Sequence, residues 1–306
     1  MEPPLLILAG GTGFLGQHLR RYFIQAGYRV LTLSRRATGP DELAWNGRTL
    51  GPWAAALEGA AVLLNLAGRS VDCRYHAANR YAITRSRTES TRVLAEAVAA
   101  CRNPPPVWLN SSTATIYRHT EDEQPANTEA TGLLGRTFSE MVAQRWEAEF
   151  NLAVVPRTRR VALRTAIVLG ADGGALPVMA RLARLGLSTP QGHGRQWVSW
   201  LHIQDFCRAV EFLVARPQLE GVFNLCAPEP LPNAALMQLL DTHYRPRWHL
   251  PQPRWLLEIG AFLLRTETEL ILKSRKVVPQ RLQEAGFRFQ FPTCQAALAD
   301  LLPQLP

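Results

Sequence analysis

A glycine-rich turn between an apolar run and a helix, close to the N-terminus, constrains the fold of this chain more than any other feature. Leu5–Ala9 has the length and composition of a buried strand. Phe14–Ala26 has helical periodicity and ends at Gly27, a residue type that commonly follows the last turn of a helix. The segment GGTGFLG (10–16) joins the two. Because spaced glycines permit a tight strand-to-helix turn, we expect the chain to open with a βαβ unit.

Short apolar runs alternate with longer helical stretches along most of the chain. This alternation predicts an α/β fold of the Rossmann type, a doubly wound parallel sheet with helices on both faces. The expected strands are 5–9, 29–33, 61–66, 107–111, 160–169 and 221–226, and the expected helices are 14–26, 74–100, 138–149, 205–215 and 233–241.

The composition changes near residue 229, where three prolines fall within five residues. We therefore expect residues 1–228 to form a Rossmann domain and residues 229–306 to form a smaller, mainly helical part on the substrate side. The segment 186–204 is rich in Gly and polar residues, which predicts a substrate loop. A proline-rich connector at 246–253 precedes two further helical stretches, the first of them around Trp255–Leu264.

Bulk properties narrow the class of protein. The formal net charge of +9 comes almost entirely from arginine. The arginines are scattered and no nucleic-acid-binding module is present, so we expect no nucleic-acid partner, although a basic surface keeps that alternative open. No apolar run approaches the roughly 18 residues needed to span a membrane. The five scattered cysteines form no CxxC pair, which favours a reducing, cytoplasmic location without a structural metal.

Each glycine of the turn has a physical task if the turn binds a dinucleotide. Gly10, Gly13 and Gly16 would permit the turn, admit a diphosphate and let the helix pack closely against the strand. The first helix would then direct its unpaired backbone N–H groups at the phosphates. The predicted cofactor-binding residues of the turn are Gly10, Gly11, Thr12, Gly13, Phe14, Leu15 and Gly16.

The end of the second strand discriminates between the two nicotinamide dinucleotides. An NAD site has an acidic residue about 20 positions after the glycines. Here the strand ends in Ser34, Arg35 and Arg36, and the next acidic residue is Asp41. Guanidinium groups suit a 2′-phosphate in both charge and geometry. We therefore expect NADP(H) as the cofactor, with Ser34, Arg35 and Arg36 at this phosphate, unless Arg36 is only a surface residue.

Later segments add candidate cofactor contacts. Small residues at 65–68 would let a ribose or a flat ring pack against the backbone, although these four residues also suit a plain turn. Ser86 lies on the next helix and is expected to approach the phosphates, while Arg74 and Arg87 either join it or face solvent. Arg164 stands in a strand, where it is either structural or directed at a ligand. The predicted contacts are Asn65, Leu66, Ala67, Gly68, Ser86 and Arg164.

Several longer motifs occur in a fixed order. They are GGTGFLG (10–16), NLAG (65–68), ITRSRTEST (83–91), NSSTATIYR (110–118), RWEAE (145–149), LRTAIVLGADGGAL (163–176), GHGRQWVSWLHIQD (192–205), GVFNLCAPEPLPN (221–233) and KVVPQRLQEAGFRFQFP (276–292). Together they resemble the extended short-chain dehydrogenases/reductases, and more closely their atypical "epimerase family" branch, also described as nucleoside-diphosphate sugar epimerase-like. The resemblance covers nearly the whole chain. It implies a small C-terminal domain peculiar to that branch, and pairing of the long helices in a homodimer.

The resemblance also implies a catalytic dyad that the sequence does not contain. In the superfamily a Tyr and a Lys four residues later transfer the proton, and a Ser or Thr at the end of the fourth strand assists them. Thr113 matches the Ser/Thr position, but Phe138 and Val142 stand where the Tyr and the Lys are expected. No Tyr in the sequence is followed by Lys four residues later. Ordinary dehydrogenase or epimerase chemistry is therefore in doubt.

Two side chains are candidates for the missing proton donor. Tyr117 lies at the rim of the fourth strand, and His202 titrates in the range of a general acid. Either residue could equally be a hydrogen-bonded part of the scaffold. The candidate catalytic residues are thus Thr113, Tyr117 and His202.

Two functional hypotheses follow from these observations. The first is an NADP(H)-dependent oxidoreductase or epimerase with a rearranged active site, acting on a small-molecule substrate that the sequence does not identify. The second is a catalytically inactive module that holds NADP(H) as a sensor or structural ligand and acts through a partner.

Overall fold

A computed structural model describes residues 2–120, 124–246, 248 and 273–305. Its strands are β1 (Leu5–Ala9), β2 (Arg29–Ser34), β3 (Glu42–Ala44), β4 (Val62–Asn65), β5 (Val107–Thr113), β6 (Arg159–Thr165), β7 (Ile167–Leu169), β8 (Trp197–Val198), β9 (Trp200–His202), β10 (Gly221–Leu225) and β11 (Leu231–Pro232). Its α-helices are α1 (Phe14–Gln25), α2 (Ala77–Ala100), α3 (Phe138–Asn151), α4 (Leu176–Arg184), α5 (Ile203–Val214), α6 (Asn233–Tyr244), α7 (Gln280–Glu284) and α8 (Cys294–Leu301).

The central sheet has seven parallel strands in the order β10-β6-β5-β4-β1-β2-β3. The strand order reverses between β1 and β4, and such a switch point leaves a crevice at the carboxyl ends of the strands. The predicted Rossmann-type sheet is therefore confirmed. Two short pairs, β11-β8 and β7-β9, lie beside it.

Both faces of the sheet are covered by apolar side chains. Leu6 and Leu8 of β1 join one buried cluster with residues of α1 and α5, whereas Ile7 and Ala9 join a second cluster with residues of α2 and α3. Side chains alternate between the two faces of a strand, so a strand buried on both sides is apolar throughout. This explains why short apolar runs in the sequence correctly predicted the positions of the central strands.

One predicted strand is divided in the structure. The segment expected to be a single strand over 160–169 forms β6 in the main sheet and β7 in a small sheet, because the chain changes partners at Ala166. The backbone N–H of Ala166 donates to Leu225 O, whereas Ile167 pairs with Trp200 of β9. The predicted loop at 186–204 contains β8 and β9, two and three residues long, and its last two residues begin α5.

The C-terminal residues pack against the same core as the sheet. Leu282 of α7 and Leu298 of α8 belong to the cluster that contains Leu6 and Leu8. The buried carboxylate of Asp205 accepts hydrogen bonds from the backbone N–H groups of residues 290 and 291, at 2.9 and 2.8 Å. The predicted helical stretch Trp255–Leu264 lies outside the described residues. None of the helices that the structure describes has the length and apolar character needed to cross a membrane.

Candidate functional site

Two adjoining cavities open at the carboxyl edge of the sheet, above the switch point. The inner cavity, of about 580 Å³, reaches from the glycine turn past the end of β5 to α3. The outer cavity, of about 600 Å³, reaches from the same turn past the end of β2 to α2. The two share the lining residues Gly10, Gly13, Leu66, Gly68 and Arg69.

The glycine turn has the geometry of a phosphate cradle. Gly10 has φ +76°, and a Cβ there would lie 2.7 Å from the Cα of Ala67. A Cβ on Gly16 would lie 2.4 Å from the carbonyl oxygen of Gly11, so only glycine allows α1 to pack this closely. A Cβ on Gly13 would meet no atom within 4 Å and would project into open space. Gly13 caps the N-terminus of α1, where backbone N–H groups attract anions.

Other residues of the turn divide between the cavities. Phe14 and Leu15 line the inner cavity, Thr12 lines the outer one, and Gly11 is buried beneath them against Leu8. Phe14 fits closely against the LGADGGAL motif. A Cβ on Gly170 or on Gly173 would come within 2.6 Å of its ring atoms.

The outer cavity is strongly basic. Its lining includes Arg35, Arg48, Arg69 and Arg85 against a single carboxylate, Glu89. Ser34 also lines it, and its backbone carbonyl accepts a hydrogen bond from the N–H of Trp45 at 3.0 Å. Arg36 is exposed and is not among the described residues that line either cavity.

The end of β4 forms the junction between the two cavities. Leu66 and Gly68 line both cavities, and Ala67 lines the outer one. Asn65 is fully buried behind them and braces the turn, since its Oδ1 accepts from the N–H of Ala67 at 3.0 Å. Ser86 reaches the outer cavity from α2, and its Oγ accepts from the N–H of Arg69 at 2.9 Å.

Arg87 carries a partly buried positive charge at this junction. Its Nη1 donates to the carbonyl oxygens of Arg69 and Ile83, at 3.0 Å each. Its guanidinium lies 5.1 Å from the ring centroid of Trp146 and lines the inner cavity. Burial lowers the pKa of Arg87 to about 10. No carboxylate within the described part of the chain pairs with it, so the site favours an anionic ligand.

The inner cavity is mostly apolar beyond the turn. Phe138 and Val142 line it from α3, which places these side chains where the sequence comparison expected the dyad. Thr113 lines the cavity at the end of β5, and its Oγ1 accepts from the N–H of Thr115 at 3.1 Å. The hydroxyl proton of Thr113 can therefore point towards a ligand. Ser139 is another of the hydroxyl side chains in the lining.

Tyr117 and Arg164 lie beneath the site and are engaged with each other. The guanidinium of Arg164 pairs with Glu147, with Nη2 2.7 Å from Oε2, and its Nη1 donates to the hydroxyl of Tyr117 at 2.9 Å. That hydroxyl donates in turn to Asn224 Oδ1 at 2.8 Å. Burial raises the pKa of Tyr117. Neither Tyr117 nor Arg164 is among the described residues lining the two cavities, so Arg164 is placed as a structural residue and not beside the expected cofactor.

His202 also has structural partners. Its Nδ1 caps α5 by accepting from the N–H of Gln204 at 3.0 Å, and its Nε2 lies 3.2 Å from Asp300 Oδ2. The ring stacks on Phe291 at 3.8 Å. Burial lowers the pKa of His202. His202 is not among the described residues that line the two cavities. The structure therefore places it away from the expected catalytic position.

The sequence did not identify several of the described lining residues, among them Trp45, Arg48 and Arg69. Trp45 and Arg48 follow β3, a strand of only three partly exposed residues that gives no apolar signal. Arg69 follows the predicted NLAG turn directly. Its position after that turn was the one signal that could have identified it.

Comparison with known proteins places the chain in one family. A family model described as NAD dependent epimerase/dehydratase family matches residues 6–226. The chain belongs to this family. A second model, described as a domain of unknown function (DUF1731), matches residues 252–301. These matches confirm the family resemblance that the motifs indicated.

Relatives that match nearly all of this chain support this placement. The "Epimerase family protein SDR39U1" of Bos taurus is 31% identical over 306 residues, which cover 97% of this chain and 99% of the relative. A crystal structure of human epimerase family protein SDR39U1 (isoform2) with NADPH has a TM-score of 0.88 at 28% identity, covering 98% of this chain and all of that one. A nucleoside-diphosphate sugar epimerase from Corynebacterium glutamicum has a TM-score of 0.80 at 27% identity, covering 99% of this chain and 59% of that one.

Proposed function

We propose that this protein binds NADP(H) across the two cavities, with the adenosine half in the outer cavity and the nicotinamide half in the inner one. The proposal rests on the observation that the two cavities meet at the glycine turn and share lining residues there. An open glycine turn lies at the junction, and guanidinium groups line the adenosine side. The NADPH bound to the human relative with the same fold supports this choice of cofactor.

The diphosphate would lie against Gly13. Its backbone faces open space at the N-terminus of α1, so no side chain occupies the volume that the phosphates need. Arg87 supplies a partly desolvated positive charge from α2. A buried guanidinium without a carboxylate is costly, and a diphosphate at the junction would neutralise it.

The 2′-phosphate would lie at the end of β2. Arg35 and Ser34 line the outer cavity there, and a guanidinium and a hydroxyl both donate hydrogen bonds to phosphate oxygens. Arg35 is exposed, so its charge lies at the mouth of the cavity. An NAD site would instead carry a carboxylate at this point to bind the free ribose hydroxyls.

For the reaction, we propose hydride transfer to a small carbonyl substrate in the inner cavity. Bound NADPH would supply the hydride and become NADP⁺, and the alkoxide formed on the substrate would take up a proton from solvent. Thr113 would donate a hydrogen bond to the substrate oxygen, since its Oγ1 already accepts from Thr115 and keeps its proton for the cavity. The apolar side chains of Phe138 and Val142 exclude water from this region, which strengthens such a hydrogen bond.

The same two side chains also favour a second candidate function, a module that holds NADP(H) without turnover. Phe138 and Val142 cannot titrate, and Tyr117 and His202 already have hydrogen-bond partners within the scaffold. Under this proposal the cofactor would be a structural or sensory ligand, and the protein would act through a partner macromolecule.

A fluorescence titration tests the cofactor and a turnover screen separates the two candidates. We expect purified protein to enhance the emission of NADPH at lower concentration than that of NADH. If neither NADPH nor NADH binds, the proposed function is contradicted. With NADPH bound, oxidation in the presence of a panel of aldehydes, ketones and nucleotide sugars would support the oxidoreductase. Tight binding without oxidation of NADPH by any of them would favour the module.

A further inference from the structure

Arg48 lies in the outer cavity although no sequence pattern singled it out. It follows Trp45, whose backbone N–H is bonded to Ser34 O at the end of β2. The intervening turn is fixed, because Asn46 Oδ1 accepts from the N–H groups of Arg48 and Thr49, at 2.8 and 3.0 Å. The backbone of Arg48 is therefore held beside the strand end that carries Ser34 and Arg35.

A buried carboxylate pairs with the Arg48 side chain, which lines the outer cavity and is 62% exposed. Its Nε lies 3.1 Å from Oε2 of Glu89 on α2, and Glu89 is only 7% exposed. The other oxygen of Glu89 pairs with Nε of Arg85, one helical turn earlier. Glu89 thus holds two guanidinium groups at one wall of the cavity, and the triad keeps a net positive charge.

The contact with Glu89 leaves most of the Arg48 guanidinium available. A guanidinium has five N–H donors. The ion pair with Glu89 runs through Nε, and Glu89 Oε2 accepts no hydrogen bond from the described residues. Both Nη groups remain to donate to an anion as a fork, the geometry that suits phosphate oxygens. Arg36 offers no such arrangement, since it is not among the described residues that line the cavity.

We propose that Arg48, and not Arg36, is the second arginine that recognises the 2′-phosphate of NADP(H), with Glu89 as the residue that positions it. The inference rests on the proposed function, because it assigns a specificity-determining residue to the same cofactor site. The preference for a phosphorylated ribose would then depend on two separate loops, one after β2 and one after β3. The phosphate would then be held from both sides by Arg35 and Arg48.

Calorimetric titration with two fragments of the cofactor tests the assignment. The probes are adenosine 2′,5′-bisphosphate, which carries the 2′-phosphate, and ADP, which lacks it. We expect Arg48→Ala to weaken the bisphosphate about tenfold, the loss of roughly one charge-assisted hydrogen bond, and to leave ADP within about twofold. Arg36→Ala is the matched control and should leave both probes unchanged. Glu89→Gln should reproduce part of the loss, because it releases the Arg48 side chain.

The outcomes distinguish this inference from the cofactor proposal. A wild-type protein that binds ADP as tightly as the bisphosphate would contradict the choice of NADP(H), and the role of Arg48 would fall with it. A wild-type preference that survives Arg48→Ala, or that is lost in Arg36→Ala, would overturn the role of Arg48 alone. An equal loss for both probes in Arg48→Ala would also overturn it, since it would indicate a general effect on the cavity. Circular dichroism of each variant checks that its fold is retained.

Discussion

Arg164 and Glu147 form a buried ion pair beneath the inner cavity, with Nη2 and Nε of the arginine 2.7 and 2.8 Å from the two carboxylate oxygens. Glu147 lies on α3 and Arg164 on β6, so the pair fastens the helix that carries Phe138 and Val142 to the central sheet. Ser112 of β5 donates to the same carboxylate at 2.5 Å. The pair thus joins three elements on which the shape of the inner cavity depends.

Breaking this pair should destabilise the fold without removing the cofactor site. In Glu147→Gln, Arg164 keeps its charge in a buried position without a carboxylate, which costs about 3–5 kcal/mol. Urea unfolding would measure the loss, with Glu96→Gln on the exposed face of α2 as the control. We expect the NADPH affinity of the folded variant to stay within about twofold of wild type. A tenfold loss of NADPH affinity in a fully folded Glu147→Gln protein would contradict the structural assignment and indicate that Arg164 contributes to cofactor binding.

Two glycines of the turn should respond differently to the same substitution. Gly13→Val places a side chain in open space, where the diphosphate is proposed to lie, so NADPH binding should fall by at least about 100-fold. The fold should survive, because Gly13 has an extended backbone. Gly16→Ala sets a methyl group 2.4 Å from the carbonyl oxygen of Gly11 and should lower the melting temperature. NADPH binding unchanged in Gly13→Val would contradict the placement of the diphosphate.

Thr113→Val tests the proposed hydrogen bond to the substrate. Loss of one positioned donor should reduce turnover by about 100-fold. NADPH affinity should hardly change, because Thr113 lines only the inner cavity. Thr115→Val, in the same cavity, is the matched control and should retain most of the activity. Equal rates for the wild type and Thr113→Val would remove this residue from the mechanism.

His202 should make the stability of the protein sensitive to mild acid. Burial lowers its pKa in the folded state, while in the unfolded chain it titrates near about pH 6.5. Below that pH the unfolded state binds more protons, so the free energy of unfolding should decrease as pH falls from 7 towards 5. Denaturant unfolding across this range should show a weaker decrease in His202→Gln than in the wild type. Parallel curves for the two proteins would show that His202 does not titrate in this window.

The strands of the sheet could be predicted from the sequence because burial on both faces requires a continuous apolar run. The predicted strand at 5–9 coincides with β1, and the predicted helix at 74–100 differs from α2 only at its start. Both elements are long or fully apolar on their buried side, so periodicity alone identifies them. The division of 160–169 escaped prediction because β6 and β7 are both apolar. Only a hydrogen-bond partner distant in sequence, Leu225, marks the point where they separate.

The parts of the candidate site that were predictable from sequence are those whose residues lie close together in the chain. Gly10, Gly13 and Arg35 lie in one short βαβ unit, and the structure brings them to one crevice. Arg164, Tyr117 and His202 were harder to place because a sequence does not show which partner neutralises a polar side chain. Their partners Glu147, Asn224 and Asp300 lie 17, 107 and 98 residues away in the chain. Arg48 was missed for the same reason, since its partner Glu89 lies 41 residues away in the chain.

The most direct test of the central claim is the affinity of wild type and Arg35→Ala for NADPH and for NADH, measured by isothermal titration calorimetry. The wild type should bind NADPH at least about tenfold more tightly than NADH, a difference of roughly 1.4 kcal/mol. Arg35→Ala should lose most of this difference by weakening NADPH alone. Equal wild-type affinities for the two nucleotides, or a preference for NADPH that Arg35→Ala leaves intact, would contradict the account.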